Sequence, residues 1–469
     1  MTPSPVILTR DPSFANQLLT WLATRFSTAA TVVEDRSTAY TLLSRSQCAT
    51  VFLDVRAGDF APEAAAFLRE VIDGELAALN LVTVGANACP VELVGVIDLL
   101  SQLHLHTENC WSDEDVHNQL RDVLNASHAR PVPRRFTVDA GNVAISTYTP
   151  SLFPVLENVS RVSQHNVTLL IVGATGTGKT TLAKFIHMLS PRRDRPFQTL
   201  ACGALPGDLI ESELFGHSRG AFTGADRNKI GRFQAAGTGT LLLDEIDVLD
   251  PKQQAKLLRV IETGEYEMVG STETKHSDAR LIVASNVNLE SLTQNSQFRA
   301  DLYYRLNVLE FPLPCLKDRP LDVIPMVQSF VSEFCEQHGI AINTIHEDFI
   351  EAIKRYTWPG NIRELKNHIR RAVLLCESDM LTVNDLSPVI IRAQFSEPES
   401  DESPATRKSN GWSLSDRVAQ SEREMLIEAL RAHNDNRTAT AKALGLSRVG
   451  LYKKLRRFGL VKKSATSSK

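Results

Sequence analysis

Long apolar runs are missing. Of 469 residues 43% are hydrophobic, yet no stretch approaches the roughly 20 residues that a bilayer-spanning helix needs, so the composition is that of a soluble globular chain. An excess of one charge is missing too. Fifty-one Lys plus Arg stand against 55 Asp plus Glu, a formal net charge of -4, which excludes a basic coat over the whole molecule and confines any nucleic-acid contact to a local patch. Cysteine is sparse: Cys48, Cys89, Cys110, Cys202, Cys315, Cys335 and Cys376 are odd in number, widely spaced and form no C-x-x-C pair. A disulfide framework is therefore not expected, and the thiols should be reduced and mostly buried. The opening residues, MTPSPVILTR, lack a basic region followed by an apolar stretch and a cleavage site, so no secretory signal is read and the expected location is cytoplasmic.

What is present suggests about three domains, at roughly 150 residues each. VILTRD (6–11), TAATVVED (28–35), TVFLDVR (50–56) and LVTVG (81–85) read as short strands separated by helical patterns, with Phe14, Leu18, Leu22 and Phe26 on one face of the first helix. Alternating strand and helix imply a parallel sheet. PVPRR (131–135) breaks the pattern, and 131–149 is expected to be a linker. A second alternating region, 150–312, leads into a mostly helical segment to about 388. SEPESDESPATRKSNG (396–411) lacks large apolar residues, so 391–412 is expected to be a flexible tether, and helical periodicity returns over 413–463. The fold class expected is α/β multidomain, ending in an all-α domain.

The strongest chemical signal is TLLIVGATGTGKTTLAKFIHML (168–189), an apolar strand, a glycine turn and a helix with Leu182, Phe185, Ile186 and Leu189 on one side. Gly173, Gly178, Lys179 and Thr180 satisfy G-x-x-x-x-G-K-[ST]. The loop Gly173, Ala174, Thr175, Gly176, Thr177, Gly178, Lys179, Thr180 and Thr181 would cradle phosphates with its backbone N–H groups, Lys179 would supply charge, and Thr180 a ligand for Mg²⁺. GTLLLDEID (239–247) is an apolar strand ending in carboxylates. Asp244 would hold the Mg²⁺ of an ATP complex and Glu245 would polarise the attacking water, whereas an acidic helix cap is the plainer alternative. RLIVAS (280–285) ends at Asn286, placed to position that water or else to serve as an ordinary turn residue.

From these motifs onward, 150–390 closely resembles the AAA+ motor of the sigma-54-dependent activators, the NtrC-like enhancer-binding proteins. The most specific marker is GAFTGA: Gly220, Ala221, Phe222, Thr223, Gly224 and Ala225. The resemblance implies that this loop touches the sigma factor and moves with nucleotide state. It further implies that Arg299 and Arg305, in FRADLYYRLNV (298–308), reach a neighbouring subunit's nucleotide in a ring, typically a hexamer, and that Arg363, in WPGNIREL (358–365), reaches its own subunit's nucleotide from an all-helical lid beginning at about 313. Two departures stand out. Ala201 replaces an Asn that restrains the catalytic glutamate in the family, and Met268 replaces an Arg of the second surface loop.

At the C-terminus, NRTATAKALGLSRVGLYKKLRRFGL (436–460) reads as helix, turn, helix, with Leu451 and Leu455 on one face and Arg448, Tyr452, Lys453, Arg456 and Arg457 on or beside another. It resembles a Fis-type helix-turn-helix, which implies dimeric binding of double-stranded DNA at enhancer sites; the alternative is a basic, solvated helical hairpin. Residues 1–130 resemble a response-regulator receiver more weakly. Asp54 takes the place of the phosphoacceptor and Asp11 ends the first strand, but the acidic pair and the lysine of the fifth strand are absent, so the alternative is a pseudo-receiver. His104, His106 and Cys110 are explained by strand packing better than by a metal. The function implied is an oligomeric ATPase that remodels sigma-54 RNA polymerase holoenzyme. The rival is a DNA-binding regulator that uses nucleotide only as an assembly switch.

Overall fold

A computed structural model describes residues 4–393 apart from 46–49, 57–59, 75, 108–110, 112, 127 and 142. The helix-turn-helix segment with Arg448, Tyr452, Lys453, Arg456 and Arg457 lies outside the described residues, as do Cys48, Cys110 and nearly all of the expected 391–412 tether.

The N-terminal sheet is parallel throughout, in the spatial order Thr31–Val33, Val6–Leu8, Thr50–Asp54, Asn80–Gly85, Ser101–His106. This is the doubly wound order whose ligand crevice falls where the strand sequence reverses, between the first and third strands. Asp11 and Asp54 end on that crevice. Strands bearing VIL and TVFLD are buried on both faces, as expected when helices cover each side. Leu18 and Leu22 of the helix Pro12–Phe26 pack beneath one face, and the helix Ala61–Asp73 covers the other with Phe67, Leu68 and Val71.

Residues 136–147, expected to be linker, instead form an antiparallel hairpin. Phe136–Asp139 pairs with Ala144–Thr147, and Phe136 stacks on Phe153 with ring centroids 5.3 Å apart. The turn is made at Gly141, whose φ of +81° suits glycine. Beyond it, Thr147 Oγ1, the Tyr148 amide and Thr149 Oγ1 all donate to buried Asp322, at 2.7, 2.6 and 2.9 Å. Hydrogen bonds to a buried carboxylate are the strong kind, so this segment is fastened to the helix Pro320–His338 rather than left loose.

The central sheet is also parallel, ordered Phe197–Ala201, Thr240–Asp244, Arg280–Ser285, Leu169–Val172, Glu310–Pro312. The strand Leu169–Val172 that feeds the glycine loop therefore lies between Arg280–Ser285 and Glu310–Pro312, and the tips bearing Asp244, Asn286 and the loop share one edge.

The segment after 313 departs from an all-helical lid. Alongside the helices Pro320–His338, Glu347–Arg355 and Asn361–Leu375 it contains two short parallel strands, Thr344–His346 and Met380–Leu381. Ala88–Pro90 of the N-terminal domain adds to them as an antiparallel third strand, with Cys89 opposite Ile345. Val91 and Val94 of the adjoining helix Val91–Leu100 are buried in the lid's own core, and Lys354 pairs with Asp98 across the junction. A methyl on Gly95 would press on Pro325 and Gln328, so glycine is what lets the two helices approach.

Candidate active site

The loop Gly173–Gly178 turns sharply into the helix Lys179–Leu189, with Gly176 and Gly178 at φ of +82° and +104°. Those angles are strained for residues with a Cβ. Leu182, Phe185 and Ile186 bury the far side of the helix against the sheet, so its N-terminal end is presented to an open cleft of about 230 Å³. The cleft is lined by the phosphate loop, Asp244, Glu245, Asn286 and, from the lid, Ile362 and Arg363. Of the expected nucleotide-site residues, Thr175, Gly176, Gly178, Lys179, Thr180, Thr181, Asp244, Glu245, Asn286 and Arg363 line this cleft, Gly173, Ala174 and Thr177 lie in the loop behind it, and Arg299 and Arg305 lie away from it.

Lys179 is only 5% exposed. Its ammonium donates to Gly173 O at 2.7 Å, to Ala174 O at 3.1 Å and to Asn286 Oδ1 at 2.7 Å. Burial pushes its pKa below the ordinary lysine value, while the carboxylates of Asp244, Glu245 and Asp247 work the other way. Thr180 Oγ1 donates to Asp244 Oδ2 at 3.1 Å. A hydroxyl and a carboxylate side by side at a helix N-terminus fit the hard-oxygen donor set of Mg²⁺.

Glu245 follows the strand Thr240–Asp244 in the left-handed region, at φ 58° and ψ 49°. Its Oε1 accepts from Asn286 Nδ2 at 3.1 Å. Asn286 is in turn fixed by Asp247, whose Oδ1 accepts from the Asn286 amide at 3.2 Å and from Ser285 Oγ at 3.0 Å. Burial and the nearby Asp244 and Glu245 push the Cys202 thiol up to about 12, which leaves it inert beside these acids.

Three residues that sequence reasoning did not single out tie the lid to the loop. Asn361, at φ +54°, accepts from the Leu316 amide at 2.8 Å and donates to Thr175 O at 3.0 Å. Arg319, 5% exposed, donates to Thr177 O at 3.0 Å. Gly360 O lies so close to Gly176 that a Cβ there would overlap it. WPGNIREL held the signal for Asn361 and Gly360, because a polar residue after Gly suits a left-handed helix start; Arg319 carried no local signal.

Arg299 and Arg305 belong to the helix Ala300–Leu306 and its cap, on the outer surface. Both are exposed and paired, Arg299 with Asp301 at 2.7 Å and Arg305 with Glu262 at 3.0 Å. The GAFTGA segment tips a hairpin formed by Gly216–His217 and Lys229–Ile230. Gly220 and Gly224 take positive φ, Ala225 is buried, and Thr223 is exposed. Phe222 meets the His217 ring edge-on, 4.9 Å between centroids. Met268 lies in the second loop, which braces the first: Ser218 Oγ donates to Gly270 O at 2.9 Å, and Ala221 packs against Gly270.

In the N-terminal crevice both Asp54 oxygens are engaged. Arg56 Nε donates to Oδ1 at 2.9 Å and Nη2 to Oδ2 at 2.7 Å, while Thr9 Oγ1 donates to Oδ2 at 2.7 Å. The same Nη2 reaches Asp11 at 3.0 Å, so the cation between the two carboxylates is the chain's own. Contact with Asp54 holds the Arg56 guanidinium above its ordinary pKa. His104 is bonded to Thr83 at 2.8 Å and to Ala86 O at 3.1 Å, and His106 pairs with Glu347 at 2.9 Å.

Strand order, phosphate loop, paired acids and lid define an AAA+ P-loop NTPase domain. Family models agree: the sigma-54 interaction domain matches residues 145–312, the AAA+ ATPase lid domain 317–403, and the bacterial regulatory protein Fis family 417–458. The chain belongs to the family of sigma-54-dependent transcriptional regulators. It is 37% identical to the regulatory protein AtoC of Escherichia coli over 316 residues, covering 67% of this chain and 68% of that one. It is 46% identical to the Nif-specific regulatory protein of Azospirillum brasilense over 239 residues, 51% of this chain, and spans only 38% of that protein's length. Among solved structures, NtrX from Brucella abortus in complex with ADP shares the fold over 98% of this chain and 100% of its own, with a TM-score of 0.53 at 22% identity. No described helix is long and apolar enough to cross a membrane.

Proposed function

We propose that this protein binds enhancer DNA, assembles into a ring, and uses ATP hydrolysis to drive its GAFTGA loop against sigma-54 RNA polymerase holoenzyme so that the promoter opens. We assign 1–130 to a regulatory receiver-like domain, 150–390 to the ATPase and 413–463 to DNA binding, with Arg448, Tyr452, Lys453, Arg456 and Arg457 contacting the duplex. The observation that carries the proposal is a single domain holding both an assembled phosphate site and an exposed Thr223 at the tip of a braced hairpin. Thr180 and Asp244 would hold Mg²⁺, which when bound neutralises charge on the phosphates. Lys179 and the loop amides bind those phosphates, Glu245 orients water, Asn286 reads the terminal phosphate, and Arg363 closes the cleft from the lid. Arg299 and Arg305 are absent from their own cleft, which supports action in trans across a ring interface. The test is reconstitution: purified protein, ATP and sigma-54 holoenzyme on a closed promoter should yield open complexes that permanganate footprinting detects, and hydrolysis without opening would overturn the proposal.

We further propose that Asp54 is not a phosphoacceptor. Attack on a phosphodonor needs a free carboxylate oxygen and a metal between the acids, whereas Arg56 engages both Asp54 oxygens and its guanidinium takes the metal's place between Asp54 and Asp11. Incubation with acetyl phosphate and Mg²⁺ should leave the intact mass unchanged. A phosphoryl adduct mapped to Asp54 would refute this.

A further inference from the structure

We infer that the cavity between the N-terminal domain and the lid is a binding site for a small organic cation, a primary amine on an apolar body about the size of a benzene ring, with Asp98 as its charged anchor. The cavity measures about 180 Å³, the order of the ~150 Å³ in which an apolar protein cavity holds benzene. It shares no lining residue with the nucleotide cleft. Both domains build it. The helix Val91–Leu100 and the strand Ser101–His106 supply Val94, Ile97 and Leu103, and the lid supplies Ile345 and Ile350. A concave, largely apolar space at a domain junction, with a few convergent polar groups, is the usual form of a small-molecule site.

The polar groups select the charge. Asp98, Glu347 and Glu351 line the cavity against the single ammonium of Lys354. His104 adds no charge at neutral pH, since burial lowers its pKa and Thr83 Oγ1 and Ala86 O occupy both ring nitrogens. Burial pushes the Cys89 thiol up to about 12, so that wall offers no nucleophile and the ligand is held without a covalent bond. Glu347 and Glu351 are exposed at the rim and already paired, with His106 and Arg355. Asp98 differs. Its side chain is only 12% exposed, burial raises its pKa, and among the described residues the one cation that reaches it is Lys354, which is itself 50% exposed. An entering ammonium that takes over Asp98 keeps the carboxylate neutralised and returns Lys354 to water, where half of it already lies. An entering carboxylate would have to draw Lys354 away and leave a buried charge unpaired, which is the costly outcome. A neutral ligand gains only the apolar walls. Because Asp98 comes from one domain and Ile345 and Ile350 from the other, a bound amine bridges the junction beside the strand that Ala88–Pro90 adds to the lid.

Saturation-transfer NMR titration of the full chain with phenethylamine tests the site, with phenylpropionate and phenethyl alcohol as probes that keep the ring and the two-carbon chain but carry the opposite charge or none. The amine should bind saturably and at least about tenfold more tightly than either, the weight of one hydrogen bond between charged groups. Two substitutions should then move its affinity in opposite directions. Asp98→Asn keeps the shape and removes the charge, and should weaken the amine at least about tenfold. Lys354→Gln removes the competing cation from a half-exposed position, and should tighten the amine several-fold. No saturable binding of phenethylamine to the folded protein, or equal affinity for the amine and the acid, overturns the site. So does a Lys354→Gln variant that binds the amine no better than the unmodified protein, a result that decides the matter even if Asp98→Asn fails to fold.

Discussion

Glu245→Gln should bind ATP as tightly as the unmodified protein and hydrolyse it roughly 10²–10⁴-fold more slowly, the usual weight of a positioned acid or base. Glutamine has the same length, still accepts from Asn286 Nδ2 through its amide oxygen, and fits over Gly203 as the carboxylate does. What it lacks is the charge that draws a proton from water. The groups that hold phosphate are untouched, since Lys179, Thr180 and the loop amides make no bond to Glu245. Phosphate release under saturating ATP measures the first quantity, and titration with a fluorescent ATP analogue the second. Turnover within about twofold of normal would move the water-orienting role elsewhere, with Asp244 and Asp247 the remaining carboxylates of that strand end. Loss of binding would mean that Glu245 helps to shape the cleft.

How much of this was legible in the sequence depends on range. The strand Arg280–Ser285 and the loop Gly173–Thr180 were readable because their signals are local: an apolar run, and glycines whose positions the phosphate dictates. The hairpin 136–147 was missed although FTVDAGNVAIST contains a turn glycine, because its strands are short and their apolar faces make sense only against Phe153 and the helix Phe153–Ser163. The lid strands Thr344–His346 and Met380–Leu381 are three and two residues long, and pair across a separation no period reveals. Ala88–Pro90 joins them from another domain. Arg56 stands two residues beyond Asp54 in plain view, yet its effect depends on the fold carrying Asp11 beside it. Reading a receiver-like pattern shows which residues are missing; only the assembled crevice shows what fills the gap. Arg319 and Asn361 act through backbone carbonyls of the phosphate loop, and a contact to a carbonyl leaves no mark on the partner's identity.

Thr223→Ala separates the motor from the assembly-switch alternative more cleanly than any change at the cleft. Thr223 is exposed, and among the described residues its hydroxyl makes no hydrogen bond, so its loss should alter the isolated protein's stability by no more than about 0.5 kcal/mol. ATP turnover, ring assembly and DNA binding should all be retained. Open-complex formation should fall at least about tenfold, because a central contact residue is worth 1–2 kcal/mol or more to a partner, and 1.4 kcal/mol is a factor of ten. Phe222 would be a poorer probe. Its ring already meets His217, whose Nδ1 is bonded to Ser212 Oγ at 2.7 Å, so its removal disturbs the hairpin's own footing on the helix Gly207–Phe215. That footing gives the prediction its mechanical sense. The helix begins three residues after Ala204, the end of the turn on which Glu245 rests, so a change at the catalytic carboxylate has a short covalent route to the hairpin's base. Permanganate footprinting at a sigma-54 promoter, with phosphate release measured in the same reaction, reads both ends of that route. Normal opening by Thr223→Ala would detach the loop tip from polymerase and favour a regulator that acts by occupying its site.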